Sequence, residues 1–576
     1  MKSSDYIVSF FAGKGIDHFF GYQGTMIAHF VDSVYQSKDV ENHVCYNEQG
    51  AAFAAVGYAK AKGRCGLAYA TSGPGALNLV SGIADAYYDS TPVIFITGQL
   101  NTYEYTGIEG IRQNGFQETD VVSIVKSITK YTVKVEKAED IRYVLEKAWY
   151  EANTGRRGPV VIDLPMDMQR QDIDPDSMKG FLPDTECIFD DPQKAAEEIS
   201  DALNESRRPV ILLGNGIIKD SDTHYKIKKI AEKADIPIVT SMLGRHLMSE
   251  NDRLNFGYLG GGYGHRYANM IVYKKADLII SLGCSMCKRQ TAMNTEKFAE
   301  DALIMRVEID PHELKRVLHQ DERDFFTDCR SVIDELVKKT CVKRFEDWLE
   351  TCSKIKSMLK SFDDSCEERK PNKYIEAISD FAEDSMPICC DVGQHQVWGT
   401  QSFKLKPAQR LLISGGHGAM GFSLPAAIGA YYALGKRAFV IAGDGAIQMN
   451  IQELQWVVRE QIPVTIFVMN NNSLGLIHQQ QDDIFESRYA GSTDEGGYTT
   501  PDFTDVAQAY GISAKKAESI PELISVLEKT DMNKPALIEI ILETDSKASP
   551  KTYFGEEMYN QRPYMPDDLM KEILDM

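Results

Sequence analysis

Short, unbroken apolar runs recur along the whole chain, each followed by a stretch with helical spacing. In the first third, "CGLAYATSG" reads as a buried strand entering a Gly-Pro-Gly turn, and "ALNLVSGIADAYYDS" as the helix after it. "PVIFITG" is the next strand and "GPVVIDLP" closes that series. A second series runs through "PVILLGNG", "IPIVTS", "ADLIISLG" and "MRVEIDP", and a third through "PICCDVG", "GKRAFVIAGDG", "PVTIFVMNN" and "KPALIEIIL". Continuous apolar strands separated by helices predict parallel sheets covered on both faces. Three consecutive α/β domains, each a doubly wound parallel sheet, are the simplest reading. The opening "MKSSDYIVSFFAGKGIDHFF" reads as an amphipathic helix containing Asp5 and Lys14. The charged stretch "RFEDWLETCSKIKSMLKSFDDSCEERK" reads as a helical linker, and the final thirty or so residues as a polar, mobile tail.

Bulk properties narrow the class. At 576 residues the chain exceeds one core and has room for about three or four domains. A net charge of −21 argues against nucleic acid or an anionic membrane as partner, because such surfaces are gripped by Lys/Arg patches. A phosphorylated ligand would therefore be held locally, by backbone N–H groups or a cation. No stretch of about 18 apolar residues predicts a membrane span, and the start lacks the apolar core and cleavage site of a secretory signal. The eleven cysteines form no framework. Cys284–Cys287 is a lone CxxC and Cys389–Cys390 a vicinal pair, so reduced thiols in a cytoplasmic protein are expected.

The chemistry concentrates in "GDGAIQMNIQELQWVVREQIPVTIFVMNNN". Asp444 ends one apolar strand and Asn471 ends the next, 27 positions later. Ligands of open α/β sheets gather outside the carboxyl ends of the strands, so the two side chains would share one rim. One carboxylate, one amide oxygen and a backbone carbonyl leave room for phosphate oxygens and water, the usual way of holding Mg²⁺. A bare Gly-Asp-Gly is a common turn; the strand–GDG–helix–strand–NN order is far more specific.

That order is the thiamine diphosphate signature, and the rest of the chain agrees with it. "NEQGAAFAAVGYAKAKGRCGLAYATSGPGALN" resembles the pyrimidine-binding domain of the acetolactate synthase family, while "DVGQHQVWGTQ" and "SGGHGAMGFSLPAAIGA" resemble its diphosphate domain. The resemblance, to thiamine diphosphate enzymes of the acetolactate synthase/pyruvate oxidase type, runs from "FFGYQGT" to about residue 545. It implies a pyrimidine-binding domain over 1–180, a central domain over 188–342, a linker over 343–372, a diphosphate- and Mg²⁺-binding domain over 373–545, and a tail over 546–576. Glu48 matches the family's indispensable glutamate, which hydrogen-bonds the aminopyrimidine ring nitrogen N1′ and so lets N4′ take the proton from thiazolium C2. Asp444, Asn471 and the carbonyl of Ser473 match the Mg²⁺ ligands. Gly393, Gln394, His395, Gly443, Gly445 and Ala446 match the diphosphate cradle, Gly418 a position whose carbonyl holds the pyrimidine amine, and Met420 the wedge that bends the cofactor. The resemblance further implies active sites between subunits, hence a homodimer or homotetramer. No feature of the chain calls for or against a regulatory small subunit.

Departures cluster at the second-substrate and flavin positions. Phe116 and Gln117 of "NGFQETD" stand where the family faces the reacting carbon. The lysine of "DIPKD" is Met166, the "RFDDR" motif reads "SMCKR" with only Arg289 kept, and "GMHG" gives way to "LGGGYGHR". The tryptophan that favours 2-ketobutyrate is Gln480, its companion methionine is Leu476, and the histidine before the glutamate is Asn47. Intact thiamine positions beside an altered acceptor pocket imply decarboxylation of a 2-keto acid such as pyruvate and transfer of the two-carbon unit to a different ketone, aldehyde or keto-sugar. The same departures weigh against FAD as a third cofactor beside thiamine diphosphate and Mg²⁺. The alternatives using the same cofactor are a simple 2-keto acid decarboxylase (a lyase), a pyruvate oxidase-like enzyme and a hydrolase of cyclic diketones. A non-enzymatic thiamine-binding subunit is disfavoured by the intact Glu48, Asp444 and Asn471.

Overall fold

Parallel pairing organises the chain into three six-stranded sheets. The computed structural model describes residues 1–576 except 106–109, 184–188, 319, 340–342 and 554. The expected boundaries at 188 and 342 lie outside the described residues. The first sheet contains β1 (His18–Gly21), β2 (Glu41–Val44), β3 (Gly66–Ala70), β4 (Val93–Gln99), β5 (Tyr131–Lys134) and β6 (Val160–Pro165), in the order β2-β1-β3-β4-β6-β5. The second contains β7 (Pro209–Leu213), β8 (Ile238–Ser241), β9 (Asn255–Leu259), β10 (Leu278–Leu282), β11 (Leu303–Glu308) and β12 (Glu322–Phe326), in the order β12-β11-β10-β7-β8-β9. The third contains β13 (Pro387–Cys390), β14 (Arg410–Ile413), β15 (Ala438–Gly443), β16 (Val464–Asn470), β17 (Ser513–Ala517) and β18 (Ala536–Ile541), in the order β14-β13-β15-β16-β18-β17. Counted from its own first strand, the third sheet repeats the order of the first. Each switches direction between its first and third strands, where open α/β sheets bind ligands.

The first and third domains share a core. It joins Ala51–Ala55 of the Glu48–Lys62 helix to Ala426–Ile428 of the Ser423–Leu434 helix. The first of these helices starts because Asn47 accepts a hydrogen bond from the Gln49 N–H at 2.8 Å, and it is built largely of alanine, the strongest helix former. It stops at Gly63, which takes the left-handed conformation at φ 69°. The two helices cross backbone to backbone. A Cβ on Gly57 would lie 2.3 Å from the Ala426 carbonyl oxygen, and one on Gly429 would lie 1.9 Å from that of Ala54. Gly429→Ala is therefore expected to destabilise the protein by about 1–3 kcal/mol or more, since neither backbone can yield without displacing a packed helix. The measurement is the denaturant midpoint, and an unchanged midpoint would refute so close a crossing.

Two segments pack more tightly than their polar composition suggests. The Glu346–Ser365 helix, within the expected linker, sends Leu349, Cys352, Ile355 and Leu359 into the central domain's core, leaving its charges, Asp363 excepted, largely on the opposite face. The tail is not a loose end. Met565 and Ile573 enter the same core, and Arg266, fully buried, donates to the Gln561 carbonyl at 2.5 Å and to Asp363 at 2.8 Å. The opening helix covers only Ser3–Gly13, with Lys14 as its cap, and His18–Gly21 belongs to β1. Among the described residues no helix is long and apolar enough to cross a membrane.

Candidate active site

The carboxyl ends of β13, β15 and β16 bring most of the expected diphosphate and metal positions together. Asp444, directly after β15, is 3% exposed. Its carboxylate accepts hydrogen bonds from the Gly445 N–H at 2.6 Å, the Ser473 N–H at 3.1 Å and the Tyr498 hydroxyl at 3.2 Å. Burial pushes this carboxyl up to about 6, against the lowering effect of those donors. Asn471, just past β16, donates its side-chain amide to Gln394 Oε1 at 3.2 Å. Gln394 in turn donates to the Ser546 carbonyl at 2.6 Å and lies 3.3 Å from Gln479 Oε1. The backbone around these groups leaves no room for side chains. A Cβ on Gly445 would meet Leu474, the Tyr498 hydroxyl and, at 3.3 Å, Met420 Cε, so Met420 sits against this cradle. Ala446 is buried beside it.

His395 supplies the sharpest local signal. Its ring lies against Gly393 and Gly443, whose added Cβ atoms would fall 2.6 and 2.7 Å from it. Burial holds it neutral, lowering its pKa to about 3, and its Nε2 is a buried polar atom without a partner. An orphaned polar atom inside a folded protein asks for a ligand or water. Here it stands among glycines, one of them the residue before the buried Asp444, a set of groups that fits a diphosphate with its cation.

The other expected residues divide. Glu48 opens the first domain's helix at 8% exposure and accepts a hydrogen bond from Asn78 at 2.9 Å. A Cβ on Gly75 would lie 3.1 Å from Glu48 Oε1, so the Gly73–Gly75 turn crowds the carboxylate. Gln117, with a left-handed φ of 63°, packs behind Gly73. Phe116, by contrast, is 79% exposed. Leu476 and Gln480 are four residues apart on the Gly475–Ile484 helix and so share a face, the first half-buried and the second exposed. Arg289 is exposed and donates to the Gly415 carbonyl at 2.7 Å, at the foot of the turn that carries Gly418 (φ 70°). Two separate clusters result, one around Glu48 on the first domain and one around Asp444 on the third.

Two contributions escape sequence reasoning. Tyr498 reaches Asp444 from a Gly-rich loop without periodicity. Lys60 reads as a solvated lysine on an alanine helix, yet its ammonium is buried, 2.6 Å from Asp89, 3.4 Å from Asp85 and 2.8 Å from the Ile413 carbonyl. Asp89 then accepts the Gly415 and Gly416 N–H groups at 3.0 and 2.6 Å. This ion cluster fixes the turn leading to Gly418 and Met420. Arg289, Gly415, Gly214, Gly216, Gly283 and Tyr258 also line a cavity of about 1130 Å³ over the central sheet.

Three family descriptions match the chain. These are the thiamine pyrophosphate enzyme N-terminal TPP binding domain over residues 1–124, the central domain over 196–336 and the C-terminal TPP binding domain over 391–540. The acetolactate synthase large subunit of Lactococcus lactis is 34% identical over 543 residues, covering 93% of this chain and 92% of that protein. Acetolactate synthase 1 of Zea mays, a chloroplastic protein, is 33% identical over 95% of this chain and 86% of its own length. The large subunit from Corynebacterium glutamicum is likewise 33% identical, covering 94% of this chain and 86% of that protein. With all three domain descriptions matched in order and relatives of this identity spanning nearly its whole length, the chain belongs to the acetolactate synthase large-subunit family of thiamine diphosphate-dependent enzymes.

Proposed function

We propose that the protein decarboxylates a 2-keto acid, pyruvate by preference, and joins the two-carbon unit to a carbonyl acceptor other than pyruvate or 2-ketobutyrate. The observation that carries this reading is the meeting of Asp444, Asn471, Gln394 and the unpartnered His395 Nε2 beside Met420, in a chain of this family. Family membership favours carboligation over the decarboxylase, oxidase and hydrolase alternatives. Thiamine diphosphate, when bound, supplies the electron sink that makes loss of CO₂ and carbon–carbon bond formation feasible. Asp444 and Asn471, with the Ser473 carbonyl, would hold Mg²⁺; His395 and the Gly443–Ala446 turn would hold the phosphate oxygens; Glu48 would hold a proton at the aminopyrimidine ring nitrogen. Gln480 and Leu476, in place of a tryptophan and a methionine, widen the acceptor side and add an amide donor and acceptor. A hydroxylated or nucleotide-linked keto-sugar suits that chemistry.

The test is mass spectrometry of reactions containing pyruvate, Mg²⁺, thiamine diphosphate and a panel of ketones, aldehydes and keto-sugars. An acceptor-dependent product heavier by the two-carbon unit is expected, and acetaldehyde alone, whatever the acceptor, would sink the carboligase reading. The altered flavin positions lead us to expect an active, colourless protein; a yellow one would put a dinucleotide in the central cavity.

Two further outcomes probe the cofactor site. Mg²⁺ requires the ionised Asp444, whose pKa is about 6, so below that pH a proton competes with the metal. Mg²⁺ affinity in the presence of thiamine diphosphate is expected to fall about tenfold per pH unit below the carboxyl's pKa and to level off above it. Asp444→Asn should remove this dependence along with most of the affinity. If the two clusters meet between subunits of a homodimer, mixing inactive Glu48→Gln and Asp444→Ala chains should restore about a quarter of full activity, because half the random pairs are mixed and carry one intact site. No recovery on mixing would place the site within one chain.

A further inference from the structure

Away from the cofactor rim, the edge of the first sheet gathers two imidazoles and a carboxylate. β1 and β2 pair with His18 opposite Glu41 and Phe20 opposite His43, so His18, Glu41 and His43 lie on one face. Among the described residues this is the one group of three such side chains whose ligand atoms all lie within 4.8 Å of one another. His18 Nδ1 is 2.9 Å from His43 Nε2, and Glu41 Oε2 is 3.7 Å from the first and 3.9 Å from the second. Ligands about 2.0–2.2 Å from a tetrahedral zinc stand roughly 3.3–3.5 Å apart, so the three atoms already outline one face of such a tetrahedron.

The surroundings orient the His43 ring for this task. His43 Nδ1 lies 3.3 Å from Glu460 Oε2, so the ring donates its proton there and turns the Nε2 lone pair toward the group. Glu460 is itself held by the Tyr432 hydroxyl and by Arg459 at 2.6 Å. The Tyr432 ring stacks on His43 with centroids 3.8 Å apart. Behind His18, Nε2 faces Asp17 Oδ1 at 4.0 Å, and Asp17 is tied to Lys62 at 3.0 Å. The Glu460 carboxylate behind His43 is the outer-shell partner that fixes tautomer and raises ligand basicity at protein zinc sites, whereas Asp17, at 4.0 Å, adds only a nearby negative charge behind His18. Glu41 is 71% exposed at its side chain, which leaves an entry path and freedom to close on an ion.

We infer that His18, Glu41 and His43 form a site for a divalent transition-metal ion of the zinc type, with the fourth position open to water. Two imidazoles and one carboxylate suit Zn²⁺ or Co²⁺ and disfavour Mg²⁺, which takes oxygen ligands. Through Glu460 the ion would tie the edge of the first sheet to the third domain. It would do so five residues before Glu48, on a segment whose Tyr46 and Asn47 N–H groups are already held by Glu453 at 3.1 and 2.9 Å.

The experiment is a Co²⁺ titration of the full-length protein in excess Mg²⁺ and thiamine diphosphate, followed by absorbance and displaced with Zn²⁺. One equivalent per chain is expected, with ligand-field bands and without the intense sulfur-to-cobalt charge transfer of a cysteine site. His43→Gln should weaken binding at least 100-fold, and Glu460→Gln about 10–100-fold by releasing the ring. Glu41→Gln, at an exposed position that folding does not depend on, should also weaken binding while leaving turnover unchanged. Absence of a saturable equivalent, a thiolate spectrum, or affinity unchanged in His43→Gln and Glu41→Gln would each overturn the assignment.

Discussion

Glu48→Gln is expected to lower kcat about 10²–10⁴-fold, the range contributed by a positioned proton-transfer group, while leaving the fold and Mg²⁺ binding intact. The substitution preserves size and the contact with Asn78, which now faces an amide instead of a carboxylate. What it removes is the capacity to hold and release a proton at one atom. Because Glu48 sits on the first domain and the proposed metal ligands on the third, thiamine diphosphate should still bind through its diphosphate end. Steady-state kinetics together with cofactor titration separate the two effects. Turnover equal to that of the unmodified enzyme would mean that the proton is handled elsewhere and that Glu48 is only the first residue of a helix.

Lys60→Met is expected to cost about 3–5 kcal/mol of stability, the penalty for leaving buried charge unpaired. The lysine lies between Asp85 and Asp89, both fully buried at their side chains, and its removal leaves two carboxylates facing each other. The sign of the pH dependence follows. Burial already raises Asp85 to about 6 with the ammonium present, and without it protonation becomes easier still. The deficit of the variant relative to the parent should therefore shrink as pH falls from 8 toward 5, because a proton replaces the missing cation. Denaturant midpoints of both proteins across that interval check this. A deficit independent of pH would assign the loss to packing. Since Asp89 also anchors Gly415 and Gly416, the variant should bind thiamine diphosphate more weakly even where it remains folded.

Much of the fold can be read from the sequence, and the failures have a common cause. Strands such as β4, β10, β15 and β16 sit inside their sheets and read as unbroken apolar runs because helices cover both faces. Edge strands such as β2, β12 and β17 do not. "ENHV", "ERDFF" and "SAKKA" are short, and their charged positions face water, so their strand character comes from a neighbour's unpaired backbone and not from their own side chains. β1 is hidden differently, since "HFF" continues the apolar pattern of the preceding helix across the turn at Gly15, φ 82°. At the site, Asp444, Asn471, Gln394, His395 and Met420 are legible because strand order places them on one rim. Lys60, Asp89 and Tyr498 are not, because burial of a charge depends on which distant segment covers it. Phe116 shows the opposite limit: a motif identifies it, while the fold of one chain leaves it 79% exposed.

The helix crossing between the outer domains is reciprocal. Gly57 meets Ala426 as Gly429 meets Ala54, and each glycine follows its alanine by three positions. Together with the repeated strand order, this is how the seam of a symmetric dimer is built, with both partners here carried on one polypeptide. In a true dimer every substitution would be made twice, and the two rims would have to stay alike. Covalent linkage lifts that constraint, so one rim is free to present Glu48 alone while the other gathers Asp444, Asn471 and His395.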